Sequence, residues 1–355
     1  MVLLASRESG RYKAGMRRPR LALAIAAIVL LLLGGAYTAV WFVAAGRVED
    51  GVAEAAQSLK AQNLDLSWQG IRVGGYPFSF TVTLSQARLR ATASNPPAEL
   101  RAPELSATTH PWNYRVWRLD APGGLNIAAG ASQPAIASLT AKDMTGSIVA
   151  PTEGPVRVWL GLTEPSGSFG LSVSARYADL WFSLPPQPPR EHTQPAGSVA
   201  ILAREVTLPL VPPPFHNPVD EFGAGLTLMG EVPPGPPRQA AQAWRDNGGT
   251  LEVDNLSLHW GNIAASGSGT LALDSEMQPT GSFSGSVEGY DELMKALVAG
   301  GQLRASDARM AQLALSFLAK PGPNGRPQIS TSFQIQNGQM YMGPAKLGPV
   351  PRIPW

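Results

Sequence analysis

From Leu21 to Ala45 the chain carries 25 consecutive uncharged, mostly apolar residues, and no other stretch constrains it as tightly. As a helix rising about 1.5 Å per residue, this run is roughly 37 Å long, more than the ~30 Å hydrocarbon core of a bilayer. Trp41 and Phe42 sit near its outer end, where amphipathic rings favour the interface, and Arg17, Arg18 and Arg20 precede it. The reading is a basic cytoplasmic tail over 1–20, a transmembrane helix ending at Leu21 and Ala45, and all later residues on the periplasmic side of an inner membrane. A cleaved signal peptide is the alternative, with Val43 and Ala45 at the −3 and −1 positions of a cleavage site; it exports the same residues. Initiation at Met16 instead of Met1 keeps Arg17, Arg18 and Arg20 and the same orientation.

Charge supports the division. The first 45 residues hold six basic residues (Arg7, Arg11, Lys13, Arg17, Arg18, Arg20) against Glu8, which leaves 22 basic and 25 acidic residues beyond them. A body of that balance makes no electrostatic footprint for nucleic acid. The chain has no cysteine, which excludes disulfides, thiolate metal sites and cysteine nucleophiles. With 37 Gly, 33 Pro and 44% hydrophobic residues, it has the composition of a folded, turn-rich protein.

Past the membrane run, Val48, Val52, Ala55, Ala56 and Leu59 share one helical face, so residues 46–63 read as a short amphipathic helix. The period then changes from helical to two. Phe78, Phe80, Val82 and Leu84 alternate with Ser79, Thr81, Thr83 and Ser85, a half-buried strand. Leu171 with Val173, Leu226 with Leu228, Leu251 with Val253, Leu256 with Leu258, Leu271 with Leu273 and Phe333 with Ile335 repeat the pattern between turn residues. Roughly a dozen to sixteen antiparallel strands are expected. The segments LPPQPP (184–189), LPLVPPP (208–214) and VPPGPP (232–237) have too few N–H donors for interior strands and read as loops.

Three late helices are expected. In the best of them Met310, Leu313, Ala314, Phe317 and Leu318 form one stripe, with Ser306 as N-cap and Pro321 as stop; Tyr290–Ala299 and Arg238–Asp246 are the others, each closed by a glycine pair. They are placed over one face or end of the sheet. The echo between LDLSW (64–68) and LSLHW (256–260) leaves a duplicated β-unit open, dividing the body into a half over 64–207, a Pro-rich connection and strand over 208–238, and a half over 239–355. The fold class is mainly β with a few helices (α+β): a membrane helix followed by a large curved antiparallel sheet, with two similar halves as one option.

Chemistry is sparse. No G-x-S-x-G occurs, Phe283 occupies the centre of GSFSG, and Ser266-Gly267-Ser268-Gly269 reads as a bend between strands. His110, His192, His216 and His259 are scattered singly, and the acidic pairs Glu49–Asp50, Asp220–Glu221 and Asp291–Glu292 fall in helix starts or loops. No catalytic residue, metal site or cofactor is expected. The run His110-Pro-Trp112-Asn-Tyr114-Arg115-Val-Trp117-Arg118 is unusual. Packing with cation–π contacts at a sheet edge and a membrane-facing or ligand-facing patch compete to explain it. Trp112, Tyr114 and Trp117, with Tyr76, Phe78 and Phe80, are the candidate hydrophobic-ligand or interface patch.

The order of these features, with LxLxW-x-G-I-x-V-x-G-Y-P-F-x-F at 64–80, HPWN at 110–113, GGTLEVDNLSLHWGNIAASGSGTLALD and the closing FQIQNGQMYMGPAKLGPVP, resembles the domain of unknown function 2125 family of Gram-negative bacteria. That resemblance transfers no catalytic residue. More distantly, strand upon strand behind one anchor is similar to AsmA-type envelope proteins, whose long sheets present hydrophobic grooves; this likeness is analogy. The expected function is non-enzymatic binding of phospholipid or another hydrophobic envelope component in a sheet groove. A scaffold that docks envelope proteins through a sheet edge or the Pro-rich loops, without lipid, is the alternative.

Overall fold

The computed structural model describes residues 18–92, 97–130, 137–168, 170–211, 215–301, 304–322, 325–342 and 345–353; the basic residues Arg7, Arg11, Lys13 and Arg17 lie outside them. Helix α1 (Arg18–Ala61) is one unbroken rod of 44 residues, about 66 Å long. It merges the expected membrane run and the expected amphipathic helix, and Asn63, with φ 62°, follows its end. It is apolar enough to be a membrane span or a signal anchor.

The chain continues through β1 (Leu64–Ser67), β2 (Gly70–Gly74), β3 (Phe80–Ala91), β4 (Ala98–His110), β5 (Asn113–Ala129) and β6 (Ala137–Val149). Two bent strands follow, each in two pieces: β7 (Val156–Thr163) with β8 (Ser166–Ser168), and β9 (Ser172–Ser174) with β10 (Tyr177–Leu184). Then come β11 (Pro195–Val206), β12 (Val219–Met229), α2 (Pro237–Asp246), β13 (Thr250–Trp260), β14 (Ile263–Leu273) and β15 (Pro279–Glu288). Last are α3 (Tyr290–Ala299), α4 (Ala305–Leu318), β16 (Lys320–Pro321), β17 (Pro327–Gln336), β18 (Gln339–Met342) and β19 (Ala345–Pro349). The strands form one antiparallel sheet of nineteen, more than the dozen to sixteen expected because bends split single strands.

Pairing follows the chain: β1 and β2 share one edge of β3, and from β3 each long strand pairs with its neighbours in sequence through to β19. It continues without a break across 208–238, the expected connection between halves. The two LxLxW segments occupy unlike places, a four-residue edge strand and an eleven-residue inner one.

A seam crosses this sheet. On β3, β4, β6, β11 and β12 the two-residue alternation of the apolar face breaks at one level, with a spacing of three at Leu84/Ala87, Ala102/Leu105, Ala141/Met144, Ala203/Val206 and Val219/Phe222. Gln86 (φ 52°), Glu164 (φ 49°) and Glu205 (φ 52°) take left-handed backbone along it, and Pro103, Pro122 and Pro165 fall on it, where ladder bonds are interrupted. Bulges of this kind bend strands. Small side chains fill the inside of the bend: Ala87, Ala102, Ala121, Ala141, Ala178 and Ala203 are all buried, Ala121 to 0% exposure. Ala121, Ala141, Ala178 and Ala203 form the main core with Leu125, Met144, Leu162, Val206 and Val219, so the core sits in a crease of one sheet. A second, smaller cluster, Val82, Leu84 and Ala87, is covered by Val48 and Val52 of α1.

Several expectations need correction. Phe78 is not in a strand: Gly75 (φ 97°) turns the chain so tightly that a Cβ there would lie 2.5 Å from Ser79 Oγ, and β3 begins only at Phe80. Leu171 lies in the turn before β9. The Ser266–Gly269 segment is the interior of β14, its glycines lying beneath groups of the next strand. Ser306 does not cap α4, which starts one residue earlier; its hydroxyl meets the Asp307 carboxylate at 3.1 Å. Helix α4 is tied to α3 by Gln312 Nε2 donating to Asp291 Oδ1 (2.7 Å); Ala308 is buried, while Met310, Leu313 and Phe317 face solvent. The Pro-rich segments are loops as read, with 212–214 outside the described residues.

Candidate functional site

Register aligns apolar residues into rows across the strands. One row runs Val73–Val82–Ala107–Leu119–Gly146–Leu160–Leu180–Ile201–Ala224–Leu256 from β2 to β13. A second runs Trp117–Ile148–Val158–Phe182–Val199–Leu226–Val253, then Gly269–Phe283–Phe333–Met342. At Gly269 a Cβ would come within 2.5 Å of the Phe283 ring, so that ring lies down across the glycine and keeps the surface low. Helix α1 packs on β1–β3, α3 on β14 and α4 on β17; among the described residues no helix packs over β4–β11. Val82 is covered by α1 and Val253 is buried, most other members of the rows are half-buried, and Phe222, Leu256 and Met342 stay exposed.

The aromatic candidates separate. Trp117 belongs to the second row, inside the apolar face. The other five gather at one end of the sheet beside α1. Trp41, buried in the junction, stacks on Phe80 (5.2 Å between centroids, 11°) and meets Tyr76 edge-on (5.4 Å), while its Nε1 donates to Ser79 O at 3.3 Å. Tyr76 also stacks on Phe42, and its hydroxyl lies 2.6 Å from Thr38 Oγ1. Tyr37 O–H donates to Pro77 O. The β4–β5 turn is tied to this loop by His110 Nδ1, 2.9 Å from Phe78 O, and Trp112 stacks on His110. Phe78, Trp112 and Tyr114 remain 67%, 67% and 64% exposed. The missed residues here are Tyr37, Thr38 and Trp41, which read as membrane-helix residues; nothing in their spacing announces a partner 38 residues away.

The opposite face of the sheet is largely polar, and a depression of about 610 Å³ crosses it from β6 to β13. Trp159 and Trp181, paired in register, line it together with Val149, Ala200 and Gly225, and Arg157 and Asp254 also border it. Trp159 lies over Gly161, where a Cβ would sit 3.0 Å from the indole, and its Nε1 donates to Asp179 Oδ1 (3.1 Å). A cross-strand ladder continues from Asp179 to Arg204 (3.3 Å), Glu221 (3.4 Å) and His259 (3.7 Å). Its members are partly exposed, so it orders the polar face more than it stabilises it.

Among the described residues no three His, Asp or Glu side chains converge as a metal site. His110 and His216 are engaged as a turn tie and, through the backbone carbonyl of His216, as an acceptor for Trp260 Nε1. Glu99 is held below the usual carboxylate range, chiefly by its hydrogen bond from Arg101, but this pair lies on exposed β4 surface away from the rows and the depression. What the arrangement supplies is an apolar face, an aromatic cluster against a hydrophobic helix, and a polar opposite face.

The sequence profile of a family described as uncharacterized proteins conserved in bacteria, DUF2125, matches residues 41–351, and the chain belongs to that family. The match begins at Trp41, the residue that locks α1 to the sheet, and runs past β19. No curated protein and no solved structure matches the chain.

Proposed function

We propose that this member of the DUF2125 family is an inner-membrane-anchored, non-enzymatic binding protein whose periplasmic sheet holds a lipid or another hydrophobic envelope component on its apolar face. The observation that supports this reading is the pair of apolar rows that, among the described residues, no helix packs over from β4 to β11. Six neighbouring strands, β4, β5, β6, β7, β10 and β11, extend this surface over about 24 Å, at ~4.8 Å per strand. Burying apolar surface is worth about 25 cal/mol per Å², so a chain lying along such a face gains affinity without any polar contact. The basic residues before Leu21 favour a cytoplasmic N-terminus and an exported sheet.

The test is native mass spectrometry with lipid extraction on residues 37–355, a fragment that keeps Trp41. Phospholipid at fixed stoichiometry supports the reading. A clean protein that also takes up no added fluorescent phospholipid removes it. The second reading, an assembly scaffold for envelope proteins, draws on the sheet's far edge: among the described residues β19 has a strand on one side only. Stoichiometric co-purification of an envelope protein without lipid would favour it.

A further inference from the structure

We infer that Tyr76, Phe78 and Trp112 form an aromatic foot that rests in the interfacial layer of the same membrane that α1 crosses. The inference depends on reading α1 as a span, but not on any ligand for the apolar face. Depth is fixed by the helix itself. Trp41 lies 20 residues after Leu21, about 30 Å along the axis, where a hydrocarbon core entered at Leu21 ends. Tyr37 is one turn lower, about 6 Å towards the bilayer centre. The 75–79 turn is bonded at both levels: Trp41 Nε1 to Ser79 O, Thr38 Oγ1 with the Tyr76 hydroxyl, and Tyr37 O–H to Pro77 O. The turn therefore straddles the level at which the hydrocarbon core ends, between Tyr37 and Trp41.

Exposure gives a second, independent argument. Phe78 and Trp112 are each 67% exposed, although both sit in turns whose backbones are fixed, through His110 Nδ1 at Phe78 O and the His110–Trp112 stack. Ordered, projecting aromatic tips beside a membrane helix suit headgroup level, where one end of a ring is dry and the other wet. With the foot in place, the end of the sheet where β3 begins and β4 turns into β5 abuts the lipid.

The absence of native cysteine allows a direct test on the full chain. Single variants Phe78→Cys, Trp112→Cys, Leu31→Cys and Leu171→Cys are labelled with an environment-sensitive dye and reconstituted into phosphatidylethanolamine/phosphatidylglycerol vesicles, with unchanged far-ultraviolet circular dichroism as the folding control. Leu31 reports the span, and Leu171, at the opposite end of the strands, reports solvent. The expected result is several-fold stronger quenching by shallow spin-labelled lipid at 78 and 112 than at 171, with iodide quenching reversed. Quenching of 31 by lipid while 78 and 112 behave like 171 overturns the foot alone. Failure at 31 overturns the span, and the foot with it.

Discussion

The crease makes a signed prediction for Ala121→Leu. Ala121 is 0% exposed, in register with Met144 on β6, on the inside of the seam. Leucine adds three carbons. If the crease had room, their burial would stabilise the domain by up to about 2.4 kcal/mol, at ~0.8 kcal/mol per carbon. If the crease is closed to packing density, they force off-rotamer neighbours and backbone shifts at a cost of about 1–3 kcal/mol. The fold described here requires the second outcome. Urea unfolding followed by tryptophan fluorescence measures it: with m about 3 kcal/mol per M, the midpoint should fall by about 0.3–1 M. Ala200→Leu, placed where the polar-face depression has space, should stay within about 0.5 kcal/mol of the parent. A midpoint for Ala121→Leu that is unchanged or raised would refute the crease.

Other substitutions test the remaining parts. Phe222→Asp and Leu256→Asp, at 39% and 38% exposure the open positions of the apolar face, should abolish lipid uptake at a cost of about 1–2 kcal/mol each, as seen by uptake assay and thermal melt. Trp41→Ala should cost about 3–5 kcal/mol of helix–sheet docking and expose residues 46–63 to protease while β4–β15 stay protected. Gly161→Val should lift the Trp159 indole from the sheet, break its bond to Asp179 and change the near-ultraviolet circular dichroism, with a cost of about 1–3 kcal/mol.

Alternation and turn chemistry were enough to read the β architecture. Phe80, Val82 and Leu84 face one way as their spacing demands, and the proline runs interrupt the sheet where their missing N–H groups require. The seam was not legible, because its left-handed residues are Gln86, Glu164 and Glu205, which carry no glycine mark; only Pro103, Pro122 and Pro165, read together, point to it. The aromatic run of 110–118 looked like one patch. A register shift between β4 and β5 sends Trp117 to the apolar face and leaves Trp112 and Tyr114 at the tip. The α4 stripe has the period of a packed helix, yet periodicity states only that apolar residues share a side, and the side that carries buried Ala308 and the Gln312–Asp291 bond is the one turned inward.

Strict neighbour-to-neighbour pairing from β3 onward means that no strand depends on a distant one to complete its ladder. Such a sheet is extensible. Adding one hairpin beyond the seam would lengthen it by about 9.6 Å and leave every existing pair intact. Its span across the strands is thus a quantity evolution can change by insertion or deletion of hairpins, independently of the anchor, the crease and the aromatic end.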